Sequence, residues 1–328
     1  MKAYSGDFFK DLSRKLVEAG YRVFAPVKVK DFYLFKEVKS AQIPDDYVNT
    51  VKSVKEIVFP QNEVMIKYGD WIEKVPTDEE KKAVIGVRPC DAKALKLLDK
   101  VFLEDVVDPY YEARRKNTVL IGYACNKAGN YCFCKSLGLS PFGTEGLDLL
   151  VIKTDKKYLV DEVSDKGKEI AKLLDLEDAT DEDLKVKEEL EKKALESFRI
   201  SINVENAKIM PEVFESDYWK EVALNCISCG VCTYLCPTCY CFDMLDEGEK
   251  RGYRYRCWDS CMFPLYTLET SSHNPRSEKW QRLRNRFYDK FHYMVKRKGE
   301  IFCVGCGRCI EFCPVGIDIT EVINGLSR

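Results

Sequence analysis

The sequence predicts two parts of different class. Residues 1–215 read as an α/β domain whose sheet contains parallel strands. Residues 216–328 read as a mainly α-helical domain. Three observations predict this. Two continuously apolar runs, AVIGV and TVLIGY, are separated by a helical pattern, the mark of a βαβ unit. The stretch EKWQRLRNRFYDKFHYMVKRKG has helical spacing. Cysteine density rises sharply in the C-terminal third, where a short cysteine pattern occurs twice. A chain of 328 residues is long enough for two cores.

Taken in order, 5–20 places Phe8, Phe9, Leu12, Leu16 and Val17 on one helical face and ends at Gly20. Residues 22–38 carry β-formers around a polar turn and read as a hairpin. A polar region follows to about Glu80. KKAVIGVRPCDAKALKLLDKVF (81–102) begins as a buried strand, breaks at Arg88-Pro89-Cys90, and resumes as a helix with Asp91 as N-cap. NTVLIGYACNKAGNYCFC (117–134) begins with a second buried strand and breaks near Cys125. Residues 147–163 read as a hairpin turning at Asp155-Lys156-Lys157, and 166–198 as a solvated helical connector.

Composition narrows the function classes. Hydrophobic residues make up 45% and charged residues 32%, which describes a globular chain rather than a disordered one. A formal net charge of -2 offers no basic field for nucleic acid. The first residues lack the apolar core of a signal peptide, and no run approaches the roughly 18 apolar residues of a membrane span. The expected compartment is therefore the cytoplasm, where disulfides rarely persist. Sixteen cysteines in that compartment point to metal.

Cys226, Cys229, Cys232 and Cys236-Pro237 follow C-x2-C-x2-C-x3-C-P, and Cys303, Cys306, Cys309 and Cys313-Pro314 repeat it. This is the run of two-cluster bacterial ferredoxins. Three closely spaced thiolates on one loop reach three iron corners of a cubane. The cysteine before proline starts a new direction of chain and reaches the other cluster. One [4Fe–4S] cluster is therefore assigned to Cys226, Cys229, Cys232 and Cys313, and a second to Cys303, Cys306, Cys309 and Cys236. Gly230 and Gly307 lie inside the loops, where close approach favours a missing side chain. Structural zinc, the bland alternative, uses two separated C-x2-C knuckles and needs no third cysteine. The long gap between the copies suggests a helical version of the two-cluster domain.

Cys90, Cys125, Cys132 and Cys134 form another set of four. Sites in parallel sheets collect beyond the carboxyl ends of the strands, where Cys90 and Cys125 both fall. The set is expected to hold a third [4Fe–4S] cluster; the alternative is four buried thiols packed as small hydrophobes. Cys239, Cys241, Cys257 and Cys261 are left without an assigned role.

VIGVRPCDAKALKLLDKVF, YCFC, CISCGVCTYLCPTCYCFD, WDSCMF, HNPR and CVGCGRCIEFCPVGI resemble the β subunit of cytoplasmic sulfhydrogenases, the NAD(P)-linked [NiFe] hydrogenases. The corresponding iron–sulfur subunit of anaerobic sulfite reductase is similar in the same places. The resemblance covers nearly the whole chain. It implies an electron-transfer subunit between a flavin subunit that handles NAD(P)H and a catalytic subunit of [NiFe] or sirohaem type. It also implies ligand roles for the eight ferredoxin-type cysteines, and Cys90, Cys125, Cys132 and Cys134 match its motif positions. Cys239, Cys241 and Cys261 match it too, with no ligand role attached, while Cys257 falls outside it.

An enzyme acting alone is poorly supplied. Only His273 and His292 are present for histidine acid–base chemistry. No G-x-G-x-x-G, G-x-x-x-x-G-K-[ST] or G-x-S-x-G occurs, so no flavin or nicotinamide site is evident in this chain. Tyr234, Tyr240, Phe242, Phe302 and Phe312 crowd the motifs and are expected in the core, as a dry shell around the clusters. Arg282, Arg284 and Arg286 read as a solvated helix face, with docking of an acidic partner as the alternative. The expected function is electron transfer within a multi-subunit cytoplasmic oxidoreductase, hydrogenase type, with the catalytic centre in a partner. The alternatives are membership of a sulfite reductase complex, a free ferredoxin-like carrier and a self-contained reductase.

Overall fold

The computed structural model describes residues 1–327, and these fall into two compact units. The first comprises 1–58, 78–200 and 304–306. The second comprises 59–77, 201–303 and the chain from 307 onward.

The first unit opens with β1 (Lys2–Tyr4) and a helix over Phe8–Glu18, whose N-cap Asp7 accepts from Lys10 N. Phe8, Phe9, Leu12 and Leu16 are buried, as the helical spacing requires. The hairpin of β2 (Arg22–Val29) and β3 (Phe32–Glu37) follows. Next come β4 (Asn62–Tyr68) and β5 (Ile72–Lys74), which belong to the second unit. The chain returns in β6 (Lys82–Val87) and β7 (Thr118–Tyr123), each buried at every residue. The hairpin of β8 (Leu149–Lys153) and β9 (Tyr158–Glu162) and the short β10 (Glu177–Asp178) complete the sheet.

Strand order is β10-β1-β9-β8-β7-β6-β2-β3. The four neighbours β8, β7, β6 and β2 are mutually parallel. The outer strands are antiparallel, so the sheet is mixed. Continuous apolar runs suit the parallel centre because helices cover it. One helix, Pro89–Phe102, joins β6 to β7 and starts two residues before the expected Asp91. Arg88 takes the N-cap position and Pro89 opens the helix, where its missing N–H and fixed φ cost nothing. Cys90 therefore sits in the first helical turn. The helices Asp165–Ala171 and Asp181–Glu196 fill the charged connector, the second begun by a capping box of Thr180 and Asp183.

The second unit is not helical throughout. β11 (Phe242–Glu247) and β12 (Gly252–Trp258) join β4 and β5 in an antiparallel sheet of order β11-β12-β4-β5. The mainly helical expectation thus holds for one part of the gap between the motifs and not for the other. β12 alternates aromatic and arginine residues, a strand pattern that the cysteine motifs overshadow. On this sheet a buried ion pair joins Arg256 to Glu63 at 2.6 Å. The helical part runs through Lys279–Tyr288, a π-helical segment Asp289–Tyr293, and Met294–Lys298, closed by Gly299.

Arg282, Arg284 and Arg286 on this stretch are buried, which corrects the solvated-face expectation. Arg282 donates to the carbonyls of Met262, Arg276 and Ser277. Arg284 donates to Phe214 O and lies 3.5 Å above the Phe214 ring. Guanidinium groups tolerate such burial because their delocalised charge stacks and serves several carbonyls at once. Phe242 departs from the expected dry shell: it lies on β11, whose residues are all exposed.

Candidate metal centres

The two repeated motifs fold alike. Each turns through two residues in the left-handed region: Ser228 (φ 54) and Gly230 (φ 76) in the first, Gly305 (φ 62) and Gly307 (φ 78) in the second. A single helical turn follows in each copy, Val231–Tyr234 and Arg308–Glu311. These turns aim backbone N–H groups inward. Ser228 N lies 3.4 Å from Cys226 Sγ, and Ile317 N lies 3.2 Å from Cys313 Sγ. Hydrogen bonds of this kind stabilise thiolate sulfur and bear on cluster potential.

Cys226, Cys229, Cys232 and Cys313 line one cavity of about 420 Å3, together with Cys309 and Arg286. The cavity wall is otherwise apolar, with Met262, Leu283 and Val315. Burial pushes the Cys232 thiol up to about 11, with the Arg286 charge acting against that rise. Two nitrogens of this buried arginine, Nε and Nη2, have no hydrogen-bond partner among the described residues. A set of convergent thiols beside unspent donors fits an anionic thiolate-ligated cluster, whose sulfurs accept such bonds.

Of the second set, Cys236, Cys303 and Cys309 lie in the second unit, and the chain carries Cys306 into the first. Cys236 is buried. Its sulfur has Lys290 Nζ at 3.2 Å and Thr238 Oγ1 at 3.2 Å. The Cys239 thiol and the Lys290 ammonium hold Cys236 well below the usual thiol range against the effect of burial. A ligand thiol must lose its proton to bind metal, so this environment favours the bound form.

Cys90, Cys125, Cys132 and Cys134 line a second cavity of about 420 Å3, within the first unit and just beyond β6 and β7. Sheet topology brings Cys90 and Cys125 together, because Cys90 follows β6 and Cys125 follows β7, its parallel neighbour. Arg88 fixes that geometry. Its guanidinium donates to the carbonyls of Tyr47, Val48, Tyr123 and Ala124, and lies between the rings of Tyr47 and Tyr123 at 4.4 and 4.7 Å. Burial and the nearby Cys125 and Cys132 raise the Cys134 thiol strongly. Burial also raises Cys125, with Arg88 opposing. Gly305 packs here: Phe133 N donates to Gly305 O at 2.8 Å, and a Cβ on Gly305 would stand 2.4 Å from Cys134 N.

The other cysteines sort by neighbour. Cys239 lies against Cys236 and the Lys290 ammonium, 3.4 Å from its sulfur. Cys241 sits by the Cys261 thiol and Tyr266; the hydrogen bond from Cys261 leads in holding it down to about 7. Cys257 lies on β12, paired with Asp243 and Asn62. The WDSC segment ties the first loop down through Ser260 Oγ, 2.7 Å from Thr233 Oγ1. Among the described residues no three Cys, His, Asp or Glu side chains converge as they would on one metal ion. A cube of four irons takes its ligands at separate corners.

Sequence reading missed Arg88 and Lys290. The signals were present: Arg88 stands between a buried strand and Pro89, and Lys290 lies four positions after Arg286 on a helical pattern.

Comparison with known proteins adds two findings. Residues 225–317 match the family model of a 4Fe-4S dicluster domain. The chain is 38% identical over 325 residues to the protein named sulfhydrogenase 2 subunit beta from Pyrococcus furiosus, covering 97% of this chain and 96% of that relative.

Proposed function

The chain belongs to the sulfhydrogenase β-subunit family, and from that premise we propose that it is the electron-relay subunit of a hydrogenase-type complex. It is an iron–sulfur subunit of an oxidoreductase. The proposal concerns its clusters, its partners and its direction of use. Cys226, Cys229, Cys232 and Cys313 hold one [4Fe–4S] cluster, and Cys303, Cys306, Cys309 and Cys236 hold a second. Cys90, Cys125, Cys132 and Cys134 hold a third. The observation that carries this reading is the pair of cysteine-lined cavities, one per unit, each containing a complete set of four thiols.

A [4Fe–4S] cluster supplies one-electron transfer when bound. The chain's residues supply the rest. Apolar walls exclude water, backbone N–H groups meet the sulfurs, and buried cations offset thiolate charge. Cys229 is exposed, and Ile227 and Leu224 beside it are 62% and 73% exposed. Exposed apolar residues around a cluster ligand suit a face that receives a partner.

The partners in this reading are a flavin subunit that handles NAD(P)H and a catalytic [NiFe] subunit. The setting is the cytoplasm; among the described residues no helix is long and apolar enough to cross a membrane. Anaerobic purification of the native complex through this chain tests the reading. Co-purification with flavin and nickel–iron subunits is the expected result. A sirohaem subunit instead would move the chain to sulfite reduction, and a chain that purifies alone, redox-active, would make it a free carrier.

A further inference from the structure

The helical stretch 279–298 carries two buried cations, Arg286 and Lys290, four positions apart and so on one helical face. Both are at most 3% exposed. Burying a charge is costly unless it is paired. The neighbours of Lys290 Nζ are Cys236 Sγ at 3.2 Å, Cys239 Sγ at 3.4 Å, Thr238 Oγ1 at 3.1 Å and Phe302 O at 3.3 Å. None is a carboxylate. Arg286 lines the cavity of Cys226, Cys229, Cys232 and Cys313, with Cys309 of the other set in the same wall. Two of its nitrogens have no protein partner among the described residues. The counter-charge for both cations must come from thiolate sulfur. Lys290 lies where the helix widens into its π-helical segment, a local distortion that recurs at functional sites.

We propose that Arg286 and Lys290 are a cation pair that sets the reduction potentials of the two ferredoxin-type clusters. The inference rests on the cluster assignment above. A reduced cluster carries one more negative charge than an oxidised one. A fixed cation nearby therefore stabilises the reduced form and raises the potential, most strongly in a dry, low-dielectric wall. The two residues divide the task. Arg286 faces the first set and also Cys309 of the second, so it acts on both clusters. Lys290 touches Cys236 and acts on the second. Arg286 acts as a permanent charge at any working pH.

The test is an anaerobic redox titration of the intact protein, followed by electron paramagnetic resonance, with iron and acid-labile sulfide counted in each sample. R286Q is expected to lower the reduction equilibrium constant of both clusters at least tenfold, which is about 59 mV for one electron. K290Q is expected to do so for one cluster only. R286K and K290R are expected to stay near the parent. Neutral variants that keep their iron and titrate within threefold of the parent would overturn the proposal. Should the neutral variants shed iron, retention of iron in both charge-keeping variants supports it, and equal loss from them overturns it. A parent protein without iron and sulfide would defeat the cluster assignment itself. An iron-loaded parent with unmoved potentials in the variants would defeat only this inference.

Discussion

Two buried arginines face two cysteine-lined cavities, and they are used in opposite ways. Arg88 spends its guanidinium on four backbone carbonyls and two tyrosine rings. Arg286 leaves Nε and Nη2 without a partner among the described residues. The first clamps the ends of two parallel strands so that Cys90 and Cys125 stay near each other. The second keeps donors in reserve for what the cavity holds. The scaffolds explain the contrast. In the first unit four thiols come from strand ends and loops far apart in sequence, and something must fix the backbone. In the second a tight loop fixes three thiols by itself, which frees its arginine for electrostatics.

The largest expected effect separates the two cavities. C125S should remove one cluster's worth of iron and leave the dicluster signals intact. C226S should remove a different cluster and leave the first unit's signal. Metal analysis with electron paramagnetic resonance reads both. Identical losses from the two variants would show that the cavities are not independent sites.

Arg88 gives the next largest effect. R88L leaves four carbonyls without their donor, at about 1–3 kcal/mol for each that remains unsatisfied. Denaturant unfolding should show a loss of several kcal/mol. Under the same assay R286Q should change stability far less than R88L. A ranking the other way round would undo the distinction between clamp and reserve.

The repeated loops sharpen the comparison further. Ser228 and Gly305 occupy matching left-handed positions, but only at Gly305 does a neighbouring backbone fill the space a Cβ would need. G305A should cost more than the roughly 1 kcal/mol of an unfavourable backbone alone. S228G should be neutral or slightly stabilising. Thermal unfolding of the two variants measures the difference. The smallest effect lies away from both cavities: T180A removes half of a capping box, at about 1 kcal/mol.

Much of this was legible in the chain. The strands β6 and β7 announce themselves as apolar runs, because a strand buried on both faces has no polar alternation to show. The eight motif cysteines are legible because loop ligation of a cube demands a fixed local spacing. Asp91 misled as a helix start because local preference names good caps, while the chain placed Pro89 at the first turn. The arginines of 282–286 misled because a helical pattern shows which residues share a face and not what covers that face.

The sequence by itself determined the parallel-strand core and the identity of the thiol-rich loops. Both follow from short-range rules: apolar continuity over a strand, and ligand spacing within a turn. Only tertiary structure decided the rest. It returned residues 59–77 to the second unit, where β4 pairs with β12 across nearly two hundred positions. It gathered Cys90, Cys125, Cys132 and Cys134 around one space, and it buried Arg286 and Lys290 beside sulfur. The physical reason is the same in each case. Strand pairing and the burial of charge depend on partners distant in sequence, and no local pattern records which partner arrives.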